Sequence, residues 1–191
     1  MKNEREISGS VEGQLLIAVP HMEDPRFRHS VVYLCSHSRS GAVGLVVNKL
    51  INDMPFADLL EQLDIERSER ANGIRVHFGG PVEPGRGFVL HTTDYTIEGT
   101  TEVAGGMALT ATTDILRDMA LGVGPAHSLL ALGYSGWGPG QLDREIQDNG
   151  WLVVPPDHAL LFDADIDSKW QRAYAKLGVE PGALSQTIGR A

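Results

Sequence analysis

The residues with the most chemical potential lie in one run, Gly133-Tyr134-Ser135-Gly136-Trp137-Gly138-Pro139-Gly140, which follows an apolar segment at 127–132. A strand, a glycine-rich turn and the start of a helix bring unpaired N–H groups together, so an anion cradle is one chemistry to test. The spacing does not complete it. Gly133 and Gly138 have the separation of a phosphate loop, but Pro139-Gly140 stand where Lys and Ser/Thr are required. The pair Gly136-x-Gly138 leads to Gln141 where a dinucleotide loop needs a third Gly or Ala, and Asp143 and Glu145 would oppose an anion. Ser135 sits almost as in a nucleophile elbow, yet Trp137 replaces the closing glycine. Asp157 and His158 follow in hydrolase order, but adjacency does not make a relay. The simpler expectation is a tight turn that seats Tyr134 and Trp137 against the core.

Cys35 and His37 form a second constellation, two apart on one expected strand face. Such a pair supports thiolate chemistry when the cysteine is exposed and its pKa depressed; a cysteine among Val, Tyr and Leu otherwise acts as a small buried hydrophobe. Two potential ligands do not make a zinc site, and His29, His77 and His91 join them only by conjecture. Asp163-x-Asp165-x-Asp167 resembles the start of a calcium loop, but Ser168 and Tyr174 occupy the required Gly and Glu positions. Asp167 is expected instead as an N-cap. No metal and no cofactor is expected.

Arg26, Arg28 and Arg39 are the nearest approach to a basic patch, offset by Glu23 and Asp24. With 16 Lys+Arg against 25 Asp+Glu, the net charge of −9 argues against direct nucleic-acid binding. One cysteine fits a reducing compartment, and no apolar run reaches the ~20 residues of a membrane span, so a cytoplasmic protein without membrane contact is expected.

The elements that must position these residues are short. Apolar runs at 14–19, 29–37 and 41–48 read as strands, the last two joined at 38–40 as a hairpin. Val31, Tyr33 and Cys35 face one way and Val32 and Leu34 the other, which requires cover on both sides. Further strands are expected at 74–78, 88–92, 107–111, 127–132 and 151–154. Helices are expected at 55–63, 113–121, 141–148 and after Asp167, where Trp170, Ala173, Tyr174 and Leu177 form a stripe. Many short strands with four short helices indicate an α+β domain with a curved, mostly antiparallel sheet. Its 191 residues suit one domain: a polar arm over 1–12 and a single domain over 13–191.

Several blocks resemble the AlgH/YqgE family of bacterial proteins. They are Gly13-Gln14-Leu15-Leu16-Ile17-Ala18, Asp24-Pro25-Arg26-Phe27, Ser30-Val31-Val32-Tyr33-Leu34-Cys35, Gly41-Ala42-Val43-Gly44-Leu45-Val46-Val47-Asn48-Lys49, Phe78-Gly79-Gly80-Pro81-Val82, Gly87-Phe88-Val89-Leu90-His91 and the run from Gly133 to Leu142. They cover nearly the whole chain from Gly13. His29, Ser36, Val43 and Leu50 depart from the family's commoner Arg, Glu, Met and Pro. The resemblance implies a bifurcated sheet folded into a pseudo-barrel and flanked by short helices. It implies no catalytic residues; one namesake is described as a transcriptional regulator of alginate production.

The expected function is therefore regulatory, through an unknown protein or small-molecule partner and not through DNA. The expected surface is built from two rigid loops, 79–87 and 133–141, with Gly79, Gly80, Pro81, Glu83, Tyr134, Ser135, Trp137, Gly138 and Gln141 as its residues. The alternative is an enzyme or small-molecule binder using Cys35, His37 and the 133–141 loop.

Overall fold

Val31–Ser38, strand β2, shows how the sequence sets the architecture. In the computed structural model, which describes residues 9–178, Val31, Tyr33 and Cys35 enter one hydrophobic cluster while Val32 and Leu34 enter another. The strand is thus covered on both faces, as its unbroken apolar run demands. It turns back into β3 (Gly41–Val46) as an antiparallel hairpin. On its other side lies β1 (Leu15–Ala18), followed by β9 (Trp151–Val154).

Strand β8 (Ser128–Trp137) joins the two halves of the sheet. Its first half pairs antiparallel with β5 (Val82–Thr92) and parallel with β4 (Val76–Phe78). Beyond Gly133 it leaves β4 and pairs with β3 through Ser135, Gly136 and Trp137. Strands β6 (Thr100–Val103) and β7 (Met107–Thr110) extend the β5 side, giving the order β6-β7-β5-β8-β3-β2-β1-β9 with β4 attached to β8. The result is one α+β domain whose mostly antiparallel, bifurcated sheet curls into a half-barrel. The fork depends on close backbone approach. A Cβ on Gly133 would collide with the Gly80 carbonyl, and one on Gly80 with the Tyr134 backbone. The Gly79 carbonyl accepts from the Val46 N–H at 2.9 Å and from Ser135 Oγ at 3.2 Å, which ties the branches together.

Short helices fill the remaining faces. Helices α1 (Phe56–Gln62) and α2 (Thr113–Leu121) bury Phe56, Leu60, Ile115 and Met119 against Val76, Val89 and Leu130. Helix α3 (Gln141–Gln147) packs Leu142 beside Trp137 and Trp151. Helices α4 (His158–Phe162) and α5 (Lys169–Ala175) close the inner face, where Leu161, Trp170 and Tyr174 join Leu15, Tyr33 and Leu90. Each such aliphatic side chain contributes about 1.5–3 kcal/mol on burial. Among the described residues, no helix is long and apolar enough to cross a membrane.

Several expectations are corrected. The supposed loops 79–87 and 133–141 are mostly strand. Strand β5 begins at Val82 and absorbs a bulge between Val82 and Gly87, while β8 runs through the glycine kink to Trp137. Glycine and proline there mark irregular pairing, not its absence. Strand β6 and helix α4 were not expected. The helix has five residues and starts from Asp157, whose Oδ1 accepts from the Leu160 N–H at 2.8 Å. Asp167 does not cap α5. Ser168 precedes that helix, and its N–H and Oγ donate to Asp165 at 3.4 and 2.5 Å. Most of the polar arm expected over 1–12 lies outside the described residues, as does the end of the expected 13–191 domain.

Candidate functional site

The β2 bulge decides the fate of the first candidate pair. The register slips by one residue between Leu34 and Ser36, so the alternation expected to align Cys35 with His37 is broken. Cys35 stays in the inner cluster with Tyr33, where its thiol is buried and pushed up to about 12 by desolvation and then by the nearby Glu12 charge. His37 is paired with Ala42 and contacts helix α3 on the opposite face. Its Nδ1 accepts from the Val11 N–H at 3.2 Å, which leaves Nε2–H to donate to Asp143 Oδ2 at 3.4 Å. The two groups are separated by the sheet and form no reactive pair.

The second candidate set is split in the same way. Tyr134 packs edge-to-face on Phe88 at 5.8 Å in the inner cluster, whereas Trp137, three residues on, joins the outer one. Ser135 is fully buried and donates to the Gly79 carbonyl, so it is a tie between sheet branches and not a nucleophile. Gly79 and Gly80 are likewise buried at the fork. Glu83 is exposed, with a backbone φ of 46°, and its carboxylate lies 3.5 Å from Arg86. Pro81, Trp137 and Gln141 do come together.

They line a cleft of about 390 Å³ with Phe27, Val82 and Trp151. Three rings shape it: Trp137 meets Trp151 edge-to-face at 5.9 Å, and Phe27 lies 5.7 Å from Trp151 and 6.4 Å from Trp137. Glu145, on α3, holds the indoles in place. Its Oε2 accepts from both indole Nε1–H groups at 2.9 Å, and its Oε1 accepts from Gln141 at 2.8 Å. Gln141 Oε1 in turn accepts from the Gly138 N–H at 3.0 Å, closing the turn onto the helix. Asp24, Arg26 and Asp148 complete the lining. Arg26 is engaged with Asp24 at 2.7 Å, and that hydrogen bond holds the Asp24 carboxyl below its ordinary range.

No single pattern in the sequence brings Phe27, Glu145 and Trp151 together. Gln141 and Glu145 at i, i+4 on one helix face gave a local signal. The approach of Phe27 and Trp151 depends on the β1–β9 pairing, which no local pattern encodes. Chemically, the cleft offers an aromatic floor, an acidic lining and a carboxylate whose oxygens are already engaged.

The other expected ligand residues are scattered. His91 Nε2 lies 2.8 Å from Thr110 Oγ1, and His29 packs against Trp170 with the rings tilted and 4.4 Å apart. His77 is buried between strands, with Nδ1–H donating to the Leu130 carbonyl at 3.1 Å. Asp163 is held by both terminal nitrogens of Arg172, at 2.5 and 2.9 Å. Among the described residues, no three His, Cys, Asp or Glu side chains are placed to hold a metal ion.

Comparison with known proteins gives a consistent picture. The sequence profile of a family described as AlgH-like matches residues 15–182. A UPF0301 protein of Nitrobacter hamburgensis is 53% identical over 189 residues, covering 95% of this chain and 88% of that protein. A UPF0301 protein of Rhodospirillum rubrum is 49% identical, with 96% and 95% covered. The solution structure of the AlgH protein from Pseudomonas aeruginosa superposes over 100% of both chains, with a TM-score of 0.79 and 40% identity.

Proposed function

The chain belongs to the AlgH-like family, and from that premise we propose that it is a cytoplasmic regulatory protein that captures a partner protein in the aromatic cleft, without catalysis or direct DNA contact. The observation that carries this reading is the aromatic cleft of Phe27, Trp137 and Trp151, whose two indoles share one carboxylate. Rigid aromatic floors of this kind suit the few buried anchors that dominate protein interfaces. The lining contains Asp24, Glu145 and Asp148 against Arg26 alone. Its complement is a segment presenting an apolar or aromatic side chain beside Lys or Arg. A DNA backbone is the wrong sign for this lining, as it is for a chain of net charge −9.

The test is capture from the native cell with wild-type, Phe27→Ala and Glu83→Ala proteins, each shown to be folded. Glu83 is exposed and does not line the cleft. A partner retained by wild type and Glu83→Ala but lost by Phe27→Ala supports the reading. Equal capture by all three, or retention of nucleic acid in place of protein, contradicts it.

A further inference from the structure

Lys169 is the anomaly of the molecule. It is fully buried, and among the described residues no carboxylate lies within 4.0 Å of its ammonium. Nζ donates to the Leu161 carbonyl at 3.0 Å and the Val47 carbonyl at 3.3 Å, leaving the third N–H without an acceptor among the described residues. It is also the first residue of α5, where a cation opposes the helix dipole. A buried charge with no carboxylate in contact, Asp163 and Asp165 acting on it only from a distance, is expensive, so a position that keeps one calls for a reason. Burial lowers this ammonium to about 8.

The surroundings supply that reason. Lys169 lines a pocket of about 230 Å³ between β4, β8 and the α4–α5 connection, together with Arg75, His77 and Asp163. Asp163 is already neutralised by Arg172 on two hydrogen bonds. Arg75 donates to the Ala164 carbonyl at 3.2 Å and has no carboxylate partner among the described residues. An acidic protein therefore holds a small pocket in which cationic groups outnumber free carboxylates. It shares no lining residue with the aromatic cleft.

We propose that this pocket is a binding site for a small oxyanion, a phosphate or a carboxylate, held by Arg75, with the Lys169 ammonium in the wall supplying charge and His77 beside it. At below about 300 Å³ the space suits a metabolite of a few heavy atoms and not a drug-sized ligand or a nucleotide. His77 reports on occupancy. It is uncharged at neutral pH, because burial lowers it to about 4, and a bound anion favours its imidazolium form.

The experiment titrates the full chain with inorganic phosphate and, in a second arm, lactate, each against chloride at matched ionic strength, following the His77 ring resonances by NMR. The expected result is a saturable shift with one or both oxyanions and a rise in the His77 pKa. Which arm saturates identifies the chemistry. Lys169→Met should weaken binding by about tenfold or more, because it removes the positive charge buried in the pocket wall. Arg75→Gln should weaken it by about threefold, as for a half-exposed charge, and Arg117→Gln on the far helix should leave it unchanged. If Lys169→Met fails to fold, Arg75→Gln carries the test. His77 resonances that move no more than in chloride, or undiminished binding by the folded pocket variants, would overturn the assignment.

Discussion

Acidification offers a quantitative test of the core around His77. The ring is buried beneath β8; desolvation is the main force lowering its pKa, opposed by the Leu130 and Arg75 carbonyls and reinforced by the Lys169 and Arg75 charges. Because the folded value lies below the unfolded one, the unfolded chain binds a proton first. Stability is thus lost as pH falls from 6.5 and is fully lost for this group below about 4. That span of about 2.5 units corresponds to about 3 kcal/mol at 1.36 kcal/mol per unit. His77→Gln keeps an N–H for the Leu130 carbonyl but cannot take the charge. Urea unfolding of both proteins between about pH 7 and about pH 4, in chloride without phosphate or carboxylate buffers, isolates the effect. His91 and the carboxylates are common to both proteins and cancel in the difference. Wild type should lose about 3 kcal/mol relative to the variant across that window. Parallel stability curves, or a His77 ring titrating near 6.5, would show that burial does not hold His77 uncharged.

Other elements give equally direct outcomes. Glu145→Ala removes the shared acceptor of two indole N–H groups and should destabilise by about 2–4 kcal/mol, whereas Glu145→Gln, which retains an oxygen, should cost about half as much; urea unfolding followed by tryptophan fluorescence measures both. The buried Cys35 thiol, raised from 9.0 to about 12, should react with iodoacetamide at least about a thousandfold more slowly than in the unfolded chain, and mass spectrometry of labelled protein follows the rate. Gly133→Ala meets both a left-handed backbone and the Gly80 carbonyl and should cost about 3 kcal/mol. Gly106→Ala, left-handed but in open space, should cost about 1 kcal/mol, and thermal denaturation of both glycine variants measures the difference.

How far the sequence revealed the molecule depended on how local the information was. Helix α2 and strand β9 are found at the residues where periodicity placed them, because each carries its own apolar pattern. The two-faced burial of β2 followed from its unbroken run of Val, Tyr, Leu and Cys. The Cys35 bulge was not legible, since a register slip is set by the partner strand, and it moved His37 to the other face. Gly79-Gly80 and Gly133 looked like loop punctuation; their small size serves close contact between two strands far apart in sequence. Pro81, Trp137 and Gln141 line one cleft, while Phe27 and Trp151 needed the β1–β9 pairing to reach them.

Engagement of a partner protein by the aromatic cleft, as proposed above, can be trapped directly. A photo-reactive benzophenone amino acid in place of Met22, which is half-buried at the cleft, tests it inside the native cell, with the same group at exposed Glu83 as reference. The expected result is one protein adduct from position 22, joined to a peptide with an apolar side chain beside Lys or Arg, and none from position 83. Adducts to nucleic acid, no adduct at either position, or equal yields from both would contradict it.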